Sequence, residues 1–238
     1  WYIWNDQVWQ RASYDRVKIL ANQVTSSMLD FAASNRQTLY WAEQSCSNAR
    51  QDAMIKAARP YLTKQAGSLN QNPYHFNCLN GVLDLKTGKL RPHKRSDFLT
   101  EIAGAEFDEN ATCPQFEQFI FEVCNQDNDL VRYMQTVLGY GLTGCTDEQK
   151  MFILHGTGSN GKGTLVETIK AIMGDYAKTA QADTLMQKST ASGSNASPDV
   201  ARLAEARFVF LSEGSRSHKF DEALVKQMTG EDTITARE

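Results

Sequence analysis

The sequence lacks long apolar runs and has few cysteines. No apolar run approaches the roughly 20 residues needed to cross a bilayer, and the first residues show no signal-peptide pattern of charged, apolar and small side chains. The five cysteines are widely spaced and fit neither a disulfide framework nor a paired-cysteine metal site, and the four histidines show no zinc-ligand spacing. These absences exclude membrane-spanning, disulfide-rich and zinc-finger proteins, and they predict reduced thiols in an intracellular setting without a membrane.

The sequence also lacks an excess of positive charge. Its 238 residues carry 25 Lys and Arg against 28 Asp and Glu, a formal net charge of -3, so no global basic field indicates nucleic acid. A local basic face remains compatible with that total. The hydrophobic fraction of 41% and the charged fraction of 22% are ordinary for a globular protein, and the length allows one large domain or two small ones. The first residue is Trp1 rather than Met, which predicts a fragment of a longer protein or a shifted numbering.

The first part of the chain predicts a hairpin followed by helices. Residues 1–10 are rich in aromatic side chains around Asn-Asp, which is typical of a short hairpin. A helix is predicted from Asp15, and a second over 48–58 that ends before Pro60. Residues 64–75 read as a polar loop. The apolar face predicted for the first helix comprises Val17, Leu20, Ala21, Val24, Met28 and Phe31.

A strand pair and two further helices are predicted next. Residues 78–93 contain apolar residues on both sides of Lys-Thr-Gly-Lys, which predicts two strands joined by a turn. Residues 97–112 are irregular or strand-like. Pro114 suits the first position of a helix, and another helix is predicted from Asp129, with Gly139 and Gly141 near its end. Packing faces are expected at Phe116, Phe119, Ile120 and Val123 in the first helix, and at Leu130, Met134, Val137 and Leu138 in the second.

From Lys150 onward the pattern changes to alternating strands and helices. Residues 151–156 read as a short apolar strand, and the following helix ends at Gly174. Residues 188–198 are small and polar, which predicts a mobile loop. Residues 206–213 form a continuous apolar run, typical of a strand in a parallel sheet that is covered on both faces. We therefore predict an α/β fold, with a mostly helical module containing a hairpin over 1–145 and an α/β nucleotide domain over 146–238.

A glycine-rich stretch lies between the predicted strand and helix. Gly156, Gly161 and Lys162 have the spacing of a P-loop, in which backbone N–H groups and a helix N-terminus face phosphate. Positive φ angles are expected at Gly156, Gly158 and Gly161. The Lys162 ammonium is expected to meet the β and γ phosphates. The residues predicted to contact the nucleotide are Gly156, Thr157, Gly158, Ser159, Asn160, Gly161, Lys162, Gly163 and Thr164.

The predicted magnesium site departs from the usual P-loop pattern. Gly163 occupies the position where such loops carry the Ser or Thr that holds Mg²⁺. Thr164 follows it and either contacts the α-phosphate side or takes over the metal role through a water; the residues alone leave both open. Glu213 ends the second predicted strand, where a carboxylate can hold Mg²⁺ and polarise the attacking water. The sequence thus predicts ATP and Mg²⁺ as cofactors.

Three ordered motifs resemble one family. "ILHGTGSNGKGTLVETI" is similar to the Walker A motif, "ARFVFLSEGSR" to the Walker B motif and "LVKQMTGEDTITARE" to the B′ motif of superfamily-3 helicases, in the phage and plasmid primase–helicase (D5/P4-like) branch. Upstream, "NGVLDLKTGKL" and "YMQTVLGYGLTGCTDEQKMFILHG" resemble the helical domain that precedes the ATPase in those proteins. The likeness covers most of the chain, and glycine at position 163 is tolerated in this branch.

The resemblance implies an ATP-driven DNA helicase with an AAA+-like parallel-sheet core that is C-terminally incomplete here. It implies a ring, usually a hexamer, that translocates 3′ to 5′ on single-stranded DNA during replication of a phage, plasmid or integrated element. Primase or other replication proteins are implied partners, and the cytoplasm of a bacterial or infected cell is the implied location. The family's sensor and arginine finger lie outside these residues, so weak hydrolysis is expected. The implied roles are catalysis for Lys162 and Glu213, metal binding for Thr164 and Glu213, and DNA binding for Lys226 and Arg237.

Two other functions are compatible with the loop. A small-molecule kinase would need an arginine-rich lid, and residues 175–205 offer only Lys178, Lys188 and Arg202. A non-catalytic module would use residues 1–145 to bind DNA or a partner beside a relic ATPase. The basic cluster formed by Arg91, His93, Lys94 and Arg95 favours a solvated turn over a DNA contact.

Overall fold

A computed structural model describes residues 1–32, 35–65, 67–156, 158–187, 198–211 and 219–230. These ranges contain mixed helix and sheet, as the predicted α/β class requires, and the chain divides into two compact units. Unit 1 comprises Trp1–Gln71 and Arg95–Thr100, and unit 2 comprises Asn72–Lys94 and Glu101–Glu238. The packing thus divides the chain near residue 71, while the predicted functional boundary near residue 145 stays a prediction. Within the described ranges, no helix combines the length and apolar character needed to cross a bilayer.

The predicted N-terminal hairpin is confirmed in unit 1. Strands β1 (Tyr2–Trp4) and β2 (Trp9–Arg11) pair antiparallel, with Trp4 opposite Trp9. The turn forms because the Asn5 side-chain oxygen accepts hydrogen bonds from the backbone N–H groups of the second and third residues that follow, at 3.1 and 2.8 Å. Asp6 takes a left-handed φ of +76°, which Asp tolerates better than most residues.

Three helices complete unit 1: α1 (Tyr14–Ala32), α2 (Arg36–Ser45) and α3 (Asn48–Leu62). The sequence predicts α1 and α3 but gave no signal for α2. The predicted packing face of α1 is partly wrong, because Leu20, Val24 and Phe31 are exposed. The buried positions of α1 are instead small or polar, and the buried side chains of unit 1 are Val8, Ala21, Thr25, Ala32, Ala42, Gln51, Ile55 and Leu99.

A polar network crosses the helices of unit 1. The Gln51 amide nitrogen on α3 donates to the Asn22 side-chain oxygen at 2.7 Å and to the Thr25 hydroxyl at 3.0 Å, both on α1. Gln51 is 1% exposed and Thr25 2%. A buried polar group is tolerated only when it is hydrogen-bonded, so these pairings explain why α1 turns this face inward.

The prediction that the helix ends before Pro60 is wrong. Helix α3 continues to Leu62, with Pro60 inside its last turn. Proline removes one backbone donor and crowds the preceding turn. This removes a single intrahelical bond, the one to the carbonyl four residues earlier. The last carbonyls of a helix lack intrahelical partners in any case. One of them is satisfied by a side chain: the Thr63 hydroxyl donates to the Arg59 carbonyl at 2.8 Å.

Unit 2 begins with a three-stranded antiparallel sheet. Strands β4 (Gly81–Asp84) and β5 (Lys89–Arg91) confirm the predicted strand pair, and β3 (His75–Cys78), which was not predicted, pairs with the other edge of β4. The sequence signal for β3 is weak because two of its four residues are polar. Asn77 is nevertheless fully buried, and its side-chain amide donates to the Glu101 carbonyl at 3.0 Å.

Helices α4 (Pro114–Val123), α5 (Asn128–Leu142) and α6 (Lys162–Met173) follow, and all three confirm predictions. Pro114 occupies the first turn of α4, and Asp127 caps α5 through two backbone N–H groups. Helix α6 turns a stripe inward at intervals of four residues. Its stripe joins the sheet and α4 in one core, whose buried members are Phe76, Cys78, Leu83, Ala103, Ile120, Cys124, Leu165, Ile169, Met173 and Tyr176.

The rest of unit 2 contains a parallel strand pair. Strand β6 (Ala177–Ala180) pairs with β7 (Phe208–Leu211), which confirms the second predicted strand. Short helix α7 (Pro198–Ala201) precedes β7, and α8 (Glu222–Thr229) follows it. The predicted loop over 188–198 lies, except for its last residue, outside the described residues.

The prediction of a strand over 151–156 is wrong. These residues form no strand, and Met151, Phe152, Ile153 and Leu154 are exposed by 38 to 74%. A strand forms only when its backbone can hydrogen-bond to unpaired N–H and C=O groups at the edge of a neighbouring strand. Within the described residues, β6 and β7 pair only with each other, so the apolar run has the composition of a strand without the pairing.

Arg207 connects the parallel strand pair to two other parts of unit 2. Its guanidinium donates to the carbonyls of Leu142, at the end of α5, and of His75, at the start of β3. The same group lies over the Tyr176 ring, 4.5 Å from its centroid, while its backbone N–H donates to the Tyr176 carbonyl at 2.9 Å. The start of β7 is therefore fixed by one side chain at three points.

Candidate nucleotide-binding loop

The glycine-rich loop ends at the N-terminus of α6, as predicted. Gly161 is the residue before the helix, and its φ of +82° lies in the left-handed region. Ser159 is also left-handed, with a φ of +60°. The positive φ angles predicted at Gly156 and Gly158 are not found, and the left-handed residues of the loop are Ser159 and Gly161 instead.

Helix α4 supports the loop at Gly161. A Cβ atom at this position would lie 2.6 Å from Val123 Cγ1 and 3.0 Å from Phe119 Cε2. Glycine is therefore required here both by the backbone angle and by the close approach of α4. Phe119 and Val123 belong to the predicted packing face of α4, and their contact with the loop is what the sequence pattern could not show.

The Lys162 side chain folds back over the loop. Its ammonium donates to the Gly156 carbonyl and to the Asn160 side-chain oxygen, each at 3.0 Å. A Cβ at Gly156 would lie 1.9 Å from Asn160 Nδ2, so glycine gives Asn160 the room for this position. The loop thus holds a positive charge at the N-terminus of α6 by two neutral acceptors, and among the described residues no carboxylate is recorded as its partner.

The N-terminus of α6 has no side-chain cap. Gly161 has no side chain to offer, whereas Asn35, Asp127 and Asp221 cap α2, α5 and α8 through their side-chain oxygens. The first N–H groups of a helix have no intrahelical acceptor and lie at the positive end of its dipole. Together with Lys162, they form an arrangement that can bind an anion, above all the phosphate groups of a nucleotide.

The two positions predicted to bear on magnesium lie in the first turn of α6. Gly163 and Thr164 are both exposed, and a Cβ at Gly163 would meet no atom within 4 Å. The Thr164 carbonyl accepts the Thr168 hydroxyl at 2.8 Å. Within the described ranges, no group of three or more His, Cys, Asp or Glu side chains gathers as a preformed metal site.

The remaining predicted site residues are only partly described. Thr157, Glu213 and Arg237 lie outside the described residues, and β7 ends two residues before Glu213. Lys226 is exposed in the last turn of α8. The structure therefore assembles Gly156, Ser159–Thr164 and the α4 contacts, and the roles predicted for the other residues stay predictions.

Unit 2 also contains a carboxyl group with an altered acidity. Burial raises the pKa of Glu101 to about 7, with the Asp175 and Glu205 charges adding to the rise, and the Lys178 ammonium at 3.7 Å opposes it in part. The Glu101 side chain is 14% exposed. No sequence pattern indicated this group, because its neighbours Asp175, Lys178 and Glu205 lie far along the chain.

Comparison with known proteins identifies the family. The family model described as "D5 N terminal like" matches residues 1–125, more than half of the chain. The chain belongs to this family. The predicted resemblance to D5-like primase–helicases is thereby confirmed, and the matched range contains unit 1, the three-stranded sheet and α4 of this D5 N-terminal-like protein.

A relative in Acanthamoeba polyphaga mimivirus bears the name "Putative helicase L207/L206". It is 32% identical over 174 residues, which cover 71% of this chain and 18% of the mimivirus protein. The chain thus spans about a fifth of the length of this curated relative. The D5 N-terminal-like match ends before the glycine-rich loop, so the case for a nucleotide site depends on the loop itself.

Proposed function

We propose that the chain is the ATP-binding part of a superfamily-3 DNA helicase that acts in replication. The observation that carries this proposal is the uncapped N-terminus of α6 with the Lys162 ammonium held beside it by Gly156 and Asn160. Membership of a primase–helicase family and the helicase name of the mimivirus relative support it. Assembly as a ring around single-stranded DNA, with primase or other replication proteins as partners, belongs to the same proposal.

The residues of the loop fit a triphosphate. Gly156 allows close approach of the chain, Gly161 turns it into the helix, and the free N–H groups of the first turn of α6 can donate to phosphate oxygens. On binding, Lys162 would exchange its two neutral acceptors for phosphate oxygens, which is favourable because charge-assisted hydrogen bonds are the stronger kind. Lys162 then holds a positive charge where negative charge develops during phosphoryl transfer.

Thr164 and Glu213 are the residues that would hold Mg²⁺. The ion, when bound, would neutralise phosphate charge, and hydroxyl and carboxylate oxygens are the ligands it prefers. The exposed Thr164 side chain in the first turn of α6 suits this role. Glu213 would in addition orient the attacking water.

The experiment is a comparison of two lysines on α6. In Lys162→Ala we expect ATP affinity, measured by calorimetry or with a fluorescent analogue, to fall at least tenfold. A tenfold change in affinity corresponds to about 1.4 kcal/mol, and a hydrogen bond to a charged group contributes at least that much. Lys170→Ala is the matched control, because Lys170 lies on the same helix and pairs with Glu167 at 2.8 Å. Equal affinity in both variants would contradict the proposal.

Serine substitutions at two glycines test the loop and the magnesium site further. Gly163→Ser adds the usual hydroxyl where an added Cβ meets nothing within 4 Å, so ATP binding should persist and depend more strongly on Mg²⁺. Gly161→Ser should abolish binding, because Val123 and the φ of +82° exclude a side chain. An unchanged Mg²⁺ dependence in Gly163→Ser would contradict a metal site within reach of position 163.

One observation favours the non-catalytic alternative. Residues 151–156 make no strand in front of the loop, so the segment that would anchor its first end has no partner strand among the described residues. A protein with a relic ATPase would bind ATP weakly and show no single-stranded-DNA-stimulated hydrolysis when extended through its downstream sequence. Hydrolysis that is stimulated by single-stranded DNA and lost in Glu213→Gln would exclude that alternative.

A further inference from the structure

One face of the β1–β2 hairpin in unit 1 combines aromatic rings with cations. Tyr2 and Trp4 are two residues apart on β1 and so point to the same side, and Trp9 lies opposite Trp4 on β2. The segment Arg95–Thr100 adds a further ring and a cation beside them. We call this the aromatic–cation face, and its members are Tyr2, Trp4, Trp9, Phe98, Lys64 and Arg95.

The rings form a short ladder. The Trp9 and Phe98 rings are stacked, with centroids 6.0 Å apart and an interplanar angle of 19°. Trp4 is tilted by 54° against Trp9 at a centroid distance of 5.9 Å. Tyr2, on the same side of β1 as Trp4, is 44% exposed. The face therefore offers an exposed ring beside the ladder on which a further planar group can stack.

Two cations lie over rings of the ladder. The Lys64 ammonium lies 4.4 Å from the centroid of Phe98, and the Arg95 guanidinium lies 5.1 Å from that of Trp9. Both residues are exposed, so their donors also face solvent. A polyanion that runs along the ladder would meet a positive charge on two of its rings.

The face is held in place by backbone and side-chain hydrogen bonds as well as by the ring contacts. Trp9 donates from its backbone N–H to the Leu99 carbonyl at 2.8 Å, and from its indole N–H to the Arg95 carbonyl at 2.9 Å. The Asn70 side-chain amide donates to the Thr100 hydroxyl at 2.6 Å, and the Thr100 backbone N–H donates to the Asn70 side-chain oxygen at 2.9 Å. The segment that carries Arg95 and Phe98 is thereby preorganised against the hairpin.

Charge and composition point to the occupant. Unit 1 carries nine Lys and Arg against six Asp and Glu, a formal charge of +3, and since the whole chain carries -3, unit 2 carries -6. All four tryptophans of the chain lie in unit 1. The hairpin and the Arg95–Thr100 segment carry Asp6 and Asp97 against Arg11 and Arg95, and Lys64 over the Phe98 ring leaves one positive charge in excess.

We propose that the aromatic–cation face binds single-stranded nucleic acid. Aromatic platforms that stack bases, combined with cations that meet the phosphates, are the general means of binding single strands without sequence preference. Bases would stack on Tyr2 and Trp4, and Lys64 and Arg95 would contact the backbone phosphates. This site is separate from the nucleotide loop and does not depend on ATP.

The test is the binding of a fluorescein-labelled 20-mer of thymidylate by anisotropy, without ATP or Mg²⁺. Tyr2→Ala should weaken binding at least fivefold, because one base stack contributes about 1–3 kcal/mol. The double variant Lys64→Ala/Arg95→Ala should weaken it at least tenfold and flatten the dependence on salt concentration. Tyr2→Phe, which keeps the ring, should bind within twofold of the wild type, and near-ultraviolet circular dichroism checks that the tryptophan ladder is intact.

Matched controls come from α3 of the same unit. Tyr61 is 89% exposed and Lys56 is an exposed cation, so Tyr61→Ala and Lys56→Ala test whether any surface ring or charge has the same effect. Equal weakening in the controls overturns the proposal. Tighter binding of a duplex than of the single strand, or binding that is lost in Lys226→Ala while the face variants keep it, overturns it as well. Because nucleotide is absent throughout, a failed ATP site leaves these outcomes unchanged.

Discussion

In unit 1 the buried helix positions are small or polar apart from Ile55, whereas the core of unit 2 contains large rings and aliphatic chains. Ala21, Ala42 and Gln51 fill the space between α1, α2 and α3, while Phe31 and Tyr61 are each 89% exposed. In unit 2, Phe76, Tyr176 and Met173 are buried in one cluster. The two units therefore differ in the size of the side chains that fill their cores.

The difference shows that apolar residues in this chain do not have one role. Hydrophobic burial contributes roughly in proportion to the area removed from water, so unit 2 gains more from its rings than unit 1 gains from alanine. Unit 1 compensates through the hydrogen bonds of Gln51 and keeps its rings at the surface, where they are open to a ligand. We infer that unit 2 is built for stability around the loop and unit 1 for contact.

The strongest test of this comparison is a pair of phenylalanines. Phe76→Ala should destabilise unit 2 by about 3–5 kcal/mol, because it leaves a cavity in a closed core at a side chain that is 4% exposed. Phe31→Ala should change stability by less than about 0.5 kcal/mol, as exposed substitutions do. Urea unfolding followed by far-ultraviolet circular dichroism measures both, and tryptophan fluorescence reports unit 1 separately. A comparable cost at the two positions would remove the distinction between the units.

Gln51 tests whether a polar network stabilises unit 1. In Gln51→Ala the Asn22 oxygen and the Thr25 hydroxyl lose a buried donor, and we expect a loss of about 1–3 kcal/mol. Gln44→Ala is the control, since Gln44 is exposed on α2. The shift of the urea midpoint in tryptophan fluorescence gives the result. If Gln51→Leu is as stable as the wild type while Gln51→Ala is not, volume rather than hydrogen bonding is what unit 1 requires.

Glu101 provides a smaller and pH-dependent test in unit 2. Its folded pKa of about 7 lies above the ordinary value of 4.5, so the unfolded chain releases the proton more readily. Stability should therefore fall as pH rises from 4.5 to 7, and the loss should be complete above that window. Glu101→Gln should be about 1 kcal/mol more stable than the wild type at pH 8, a figure reduced for solvent screening, and should match it at pH 4.5. Thermal unfolding at both pH values measures this.

Glu106→Gln is the control for that measurement, because Glu106 is an exposed carboxylate a few residues further along the chain. It should leave the pH profile of the wild type unchanged. A Glu101→Gln variant that keeps the same fall in stability between pH 4.5 and 7 would show that another group causes it.

Local signals predicted the elements whose ends are set by a single residue. Helix α6 begins and ends where the sequence indicated, because Gly161 takes a left-handed φ and Gly174 caps the other end. Pro114 fixed the start of α4 in the same way, and Asn5 fixed the turn of the first hairpin. In each case the cause lies within a few residues along the chain.

The errors arise where the outcome depends on a distant partner. Residues 151–156 have strand composition but no paired edge, and β3 forms because Leu83 and Val82 lie across from it, although its own sequence is half polar. Likewise, the inward face of α1 is set by Gln51 on another helix. For the candidate site, the sequence predicted Gly161 and Lys162, but not the support that α4 gives them.

The position of Arg207 in the chain bears on how the protein is synthesised. Its contact with the His75 carbonyl spans 132 positions, so the start of β7 cannot be fixed until that length of chain has been made. The last segment of unit 1 ends at Thr100, roughly 100 residues earlier, which at about 5–20 residues per second leaves unit 1 about 5–20 s to fold first. We expect unit 1 to be complete on the ribosome while unit 2 still lacks the residue that joins its strands.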